Sequence, residues 1–173
     1  ALKEQGKHKA AIERFQEALK VRPDDADAHW NLALTHLVLG DFPNGWKEYE
    51  WRAELPNFPM RKLQGPLWQG EPLGDRTLIV YLEQGLGDAI QFARYLPLRE
   101  KLDGTVILSC PKKMSPILAS IDGMPEIMPD SDLPAYDLHV PLMSLPKLFN
   151  EGMPYAPERM AYVTSTSVLI SQW

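Results

Sequence analysis

The feature that most constrains this chain is a correspondence at an offset of 34 residues. Aligning Gly6 with Gly40 brings His8 onto Phe42, Ala11 onto Gly45, Ile12 onto Trp46 and Phe15 onto Tyr49. A repeating helical unit of this kind cannot bury its apolar face alone, so neighbouring copies must stack. In the first copy, "GKHKAAIERFQEALKVRPDD", Gly6 turns the chain between helices. Ala11 and Ala18 let helices approach, Phe15 fills the gap, and Pro23 ends the helix. The second copy keeps Leu32, Ala33, Gly40, Phe42 and Tyr49, and departs with Gly45, Trp46 and Arg52. The pattern predicts helices near 9–21, 26–39 and 42–53.

A period of 34 with small and aromatic residues in register is the mark of the tetratricopeptide repeat, which "GKHKAAIERFQEALKVRPDD" resembles over the repeat's second half. Such a solenoid usually needs about three repeats to cover its faces. One and a half repeats are therefore expected to lean on the next domain or on further repeats. Trp46, Tyr49 and Trp51 read first as packing residues, with a peptide ligand on the repeats as the alternative.

Residues 56–76, "PNFPMRKLQGPLWQGEPLGDR", have connector composition, and Trp68 and Leu67 are expected to anchor them as an ordered strap. From residue 77 the period changes. "TLIVYL", "TVILSC", "EIMP" and "YDLHVPL" read as short strands, with helices expected from about Asp88 to Lys101, shortened or kinked at Pro97, over 112–121 and from 143. Strands alternating with helices predict a parallel sheet with right-handed crossovers. The expected fold class is thus α + α/β. A short helical repeat (1–55) and an ordered connector (56–76) precede a Rossmann-like lobe (77–173).

The bulk numbers exclude several classes. The 173 residues carry a net charge of −5, a poor basis for nucleic-acid binding. Cys110 is the single cysteine, so neither an internal disulfide nor a cysteine zinc cluster can form, which fits a cytoplasmic location. No apolar run reaches 18 residues, so no membrane span is expected. The chain opens partway through a helical pattern and ends abruptly at "TSTSVLISQW", which reads as a fragment.

The loop "EQGLGD" (83–88) follows the first strand of the α/β part, where parallel sheets bind ligands. Three readings compete. A dinucleotide fingerprint requires a third glycine where Ile90 stands, and Asp88 would repel a pyrophosphate. A structural reading makes Asp88 the helix N-cap, with glycines for a tight turn. A catalytic reading makes Asp88 a carboxylate that takes a proton from a hydroxyl nucleophile.

The segments "DFPNGWKEYEWR", "PLWQG", "EQGLGDAIQFARY" and "YDLHVPLMSLPKLF" together resemble bacterial proteins that join tetratricopeptide repeats to a glycosyltransferase domain. The G-L-G-D-A-I loop is similar to that of lipopolysaccharide heptosyltransferases, which have the GT-B fold, and repeats ahead of such a domain also resemble protein O-GlcNAc transferases. The resemblance implies the N-terminal half of a GT-B fold and a metal-independent transfer of sugar from a nucleotide-sugar donor, with no cofactor, to a protein or glycan hydroxyl. It implies that Asp88 is the general base and that Gly85, Leu86 and Gly87 line the cleft. Gln91 would touch a sugar, with Gln84 and Glu83 as weaker candidates. His139 reads as a hydrogen-bonded core histidine ahead of a cleft residue. In this family a second lobe holds the donor, and "MPYAPERMAYVTSTSVLISQW" resembles the passage leading to it. The chain alone is therefore expected to be inactive or very weakly active, and an uncovered apolar edge would favour self-association. The alternative is a non-catalytic repeat scaffold with a degenerate α/β domain.

Overall fold

The computed structural model describes residues 6–58, 60–149, 162 and 163. The chain forms two compact units, one running to Met60 and the other beginning at Arg61. The passage from Met153 onward that resembles a lead into a second lobe lies outside the described residues, apart from Tyr162 and Val163.

The first unit is helical: α1 (His8–Val21), α2 (Ala26–Val38) and α3 (Phe42–Tyr49), the last tightening into a 3-10 segment over Glu50–Glu54. The 34-residue correspondence has a conformational counterpart. Gly6 and Gly40 both sit in the left-handed region, at φ +73° and +78°, where a side chain would be strained. Asp25 caps α2 by accepting from the Ala28 amide at 3.0 Å, and Asp41 caps α3 through the Asn44 amide at 3.4 Å. Ala28, Leu32 and Thr35 give α2 its buried stripe. Gly45 lets α3 close on α2, because a Cβ there would lie 2.6 Å from Leu37 Cδ2. Arg52 is buried and paired: its Nη1 donates to Glu50 at 2.7 Å and to the Tyr49 carbonyl at 3.2 Å, and its guanidinium lies 4.9 Å from the Tyr49 ring centre.

The second unit is a four-stranded parallel sheet of order β3-β2-β1-β4, with β1 (Thr77–Tyr81), β2 (Thr105–Cys110), β3 (Glu126–Pro129) and β4 (Leu138–Pro141). The helices are α4 (Leu86–Ala93), α5 (Ser115–Leu118) and α6 (Leu145–Phe149), with 3-10 turns at Leu96–Lys101, Lys112–Met114 and Leu142–Ser144. The α + α/β class expected from the periods is therefore the class observed. The helix expected from about Asp88 to Lys101, shortened or kinked at Pro97, is α-helix from Leu86 to Ala93 and resumes as the 3-10 turn Leu96–Lys101.

Strand order explains how each face is covered. The β1–β2 and β2–β3 crossovers step the same way and carry α4 and α5, which pack together. The β3–β4 connection steps back past β1, so the same handedness sends it over the other face. That connection contains no helix. Leu133 and Tyr136 from it, with Leu63 from the strap, pack on Ile79, Tyr81 and Ile107. The strap also pairs with β4: the Trp68 amide donates to the His139 carbonyl at 2.9 Å, and the His139 amide to that of Pro66 at 3.2 Å. Trp68 is buried and anchors the strap as expected, whereas Leu67 is half-exposed. Among the described residues no helix is long and apolar enough to cross a membrane.

Candidate functional site

In a parallel sheet the strand order reverses at one point, and ligands bind beyond the strand ends there. Here the reversal falls between β1, whose chain leads on to β2, and β4, which lies on its other side. The loop after β1 and the turn after β4 meet at that point. They meet at a narrow crevice with no room for a water molecule, lined by Leu82, Glu83, Gln84, Asp88, Ala89, Leu142 and Met143.

The structure brings Asp88 and Gln84 together in this crevice. Asp88 is half-buried in the first turn of α4. It is not the N-cap. The helix begins two residues earlier, at Leu86, and Gly85 occupies the cap position with no side-chain hydrogen bond. Asp88 still benefits from the positive helix end. A Cβ on Gly85 would stand 3.5 Å from its Oδ2, so the carboxylate reaches back over that glycine.

The glycines carry no left-handed turn either. Gly85 has φ −64°, and neither it nor Gly87 is among the positive-φ glycines. A Cβ on Gly87 would meet nothing within 4 Å. Backbone geometry and packing therefore do not require these glycines, and Gly87 costs the helix up to about 1 kcal/mol relative to alanine. Their effect is to leave the helix start bare and exposed beside Asp88. Leu86 is also exposed there, and Gln91 is exposed one turn further along α4, outside the crevice lining.

Glu83 was only a weak sequence candidate, yet it is 6 % exposed and lines the crevice with Asp88. No local signal marks it, because Leu78, Ile79, Val80 and Tyr81 of β1 are all buried and the strand shows no alternation to extend. Two acidic side chains, Glu83 and Asp88, and the Gln84 amide thus lie in one lining that contains no basic residue.

His139 is the core histidine that its sequence setting suggested. It is 6 % exposed, and its Nε2 donates to the Gly65 carbonyl at 3.1 Å. Burial holds its pKa below the ordinary value, against the opposing pull of that carbonyl, so the ring is neutral.

A second polar group at the strand ends was invisible in the sequence. Arg61 Nη1 donates to Ser109 Oγ and Asp130 Oδ1, both at 2.7 Å, and Nη2 donates to the Asp130 carbonyl at 2.7 Å. Ser109 Oγ donates to the same Asp130 oxygen at 2.7 Å. Every partner is internal, so this cluster ties the strap to β2 and to the residue after β3. Among the described residues no three His, Cys, Asp or Glu side chains converge as a metal would require.

A model of the tetratricopeptide repeat matches residues 1–40. Protein FlbA of Caulobacter vibrioides is 32% identical over 120 residues, covering 65% of this chain and 20% of that protein. The chain thus spans about a fifth of the length of that relative. No solved structure matches. A tetratricopeptide-repeat unit, of the type that scaffolds protein partners, therefore precedes a parallel α/β lobe whose strand order reverses at a crevice lined by Asp88.

Proposed function

We propose that this chain supplies the acceptor side of a glycosyl-transfer enzyme, with the repeats presenting a protein or glycan acceptor. The observation that carries the reading is the crevice at the strand reversal. It holds Asp88 and Gln84 beside a helix start that Gly85 and Gly87 leave bare for reasons the fold does not supply. Asp88 removes the proton from the acceptor hydroxyl as its oxygen bonds to the anomeric carbon. The bond from that carbon to the donor's phosphate oxygen breaks, and its electron pair leaves with the nucleoside diphosphate. The Asp88 carboxylate disfavours that diphosphate, so the donor is held by groups outside this crevice. Gln84 orients the acceptor through its amide, and Leu86 and Gln91 contact the sugar from the exposed side of α4.

The test is Asp88→Asn in the intact protein, assayed by release of nucleoside diphosphate from a panel of nucleotide sugars. Removing a general base lowers turnover by about 10²–10⁴-fold. The melting temperature should stay near that of the wild type, because Asp88 is not the helix cap. Turnover equal to the wild type refutes the base assignment. A second reading, a non-catalytic repeat scaffold, draws support from the narrowness of the crevice and from the repeat match. It predicts no nucleotide-sugar turnover by the wild type and partner binding that survives Asp88→Asn.

A further inference from the structure

The helical unit carries a feature that the transfer reading does not use. A groove of about 560 Å³, open to solvent, is lined by Asp24, Ala26, Glu50, Trp51 and Glu54. We propose that this groove docks a basic peptide segment, taking one arginine or lysine side chain along the Trp51 indole. The inference is independent of the chemistry assigned to Asp88.

Charge complementarity selects the ligand. The lining combines an indole and the Ala26 methyl with the carboxylates of Asp24 and Glu54, while its third acid, Glu50, is already paired with Arg52 at 2.7 Å. That combination matches a side chain with an apolar stem and a cationic head. Tryptophan is the best aromatic partner for such a head, and arginine's planar guanidinium can also stack on it. An acidic segment would be repelled, and a purely apolar one would strip water from carboxylates without answering them.

The groove wall is also preorganised. Trp51 does not have to be ordered by the ligand. His29 stacks on it, with ring centres 3.9 Å apart and planes 2° from parallel. His29 is itself fixed at both nitrogens, by the Glu48 carboxylate at Nδ1 and by the Pro23 carbonyl at Nε2, 2.8 Å away. A wall held this way loses little entropy on binding. Arg22 is engaged by Asp25 at 2.7 Å and Arg52 by Glu50 at 2.7 Å.

Openness favours a peptide over a small cation. Sites for small molecules are enclosed and bury most of the ligand. This groove is open, so chain on either side of the inserted residue can continue into solvent.

The experiment selects a displayed library of random dodecamer peptides on the whole chain, then measures the best binders by fluorescence anisotropy. Arginine or lysine should be enriched at one position. The Asp24→Asn/Glu54→Gln variant should bind those peptides about tenfold more weakly, with the loss shrinking at high salt. Both residues are exposed, so this variant should melt like the wild type. Trp51→Ala should also weaken binding, but it disturbs the His29 stack, so the carboxylate variant is the decisive one. Selection without basic enrichment, or equal affinity for the carboxylate variant, overturns the proposal. Competition by spermidine or free arginine as effective as by the peptide also overturns it, in favour of a small-cation site.

Discussion

Gly104→Ala puts the packing of the second unit to a quantitative test. Gly104 lies between the 3-10 turn at Leu96–Lys101 and β2, against the end of the strap. A Cβ built there would overlap that of Leu73, and would lie 2.7 Å from the Arg76 carbonyl oxygen and 2.9 Å from that of Gly74. Leu73 is buried, and two of the three obstacles are backbone, so no flexible side-chain tip can swing aside. The Arg76 carbonyl also accepts from the Thr105 amide at 3.2 Å, beside the first paired residues of β1 and β2. Relief of the clash has to lengthen that bond or shift the strap. Overpacking of this kind costs about 1–3 kcal/mol, and a weakened hydrogen bond adds about 1 kcal/mol. The expected total of about 3 kcal/mol corresponds to a fall of about 12–24 °C in Tm for a unit of this size. Urea denaturation followed by circular dichroism gives the free energy directly, and differential scanning calorimetry assigns the loss to the sheet unit. Gly87→Ala is the internal control. The same chemical change meets open space within α4 and should be neutral or stabilising by up to about 1 kcal/mol. A Gly104→Ala variant within about 0.5 kcal/mol of the wild type, or a Gly87→Ala variant that loses as much as Gly104→Ala, refutes the packing argument.

Two further outcomes follow from polar contacts of the strap. Asp103 Oδ1 accepts from the Gly74 amide at 3.0 Å and the Leu73 amide at 2.9 Å, and these bonds, the Gly74 bond foremost, hold its pKa below the ordinary 3.8. A depressed folded-state pKa means stabilisation that is present above the unfolded value and lost as the pH falls through the folded one. The acid side of the stability–pH curve should therefore be shallower for Asp103→Asn than for the wild type, and parallel curves would count against the contact. Arg61→Met removes the guanidinium that joins the strap to Ser109 and Asp130, and should cost the sheet unit about 1–2 kcal/mol in urea denaturation. Unchanged stability would mean that the Ser109–Asp130 bond alone suffices.

Much of this architecture could be read locally. The glycines 34 residues apart, the acids ahead of α2 and α3, and the apolar runs of β1 and β2 each express a period or a cap spanning a few neighbours, and the predicted elements fall where those signals lie. The boundary of α4 did not follow the same logic. Asp88 has the chemistry of an N-cap, but Gly85, in an extended conformation, took that place and left Asp88 inside the first turn. Helix-capping preference is worth about 1 kcal/mol and yields to the geometry that the strand end imposes.

By itself the sequence determined the repeat, the alternation of strands and helices, and the loop that carries Asp88, because each depends on residues close along the chain. Only the tertiary structure decided that β4 lies beside β1 rather than beyond β3, and that placement creates the reversal and the crevice. It alone brought Arg61 to Ser109 and Asp130, 48 and 69 positions away, and Leu142 and Met143 to the loop after β1. Period and propensity are blind to strand order, since several orders bury the same apolar residues. The choice among them rests on crossover handedness and on side chains that meet only once the sheet has formed.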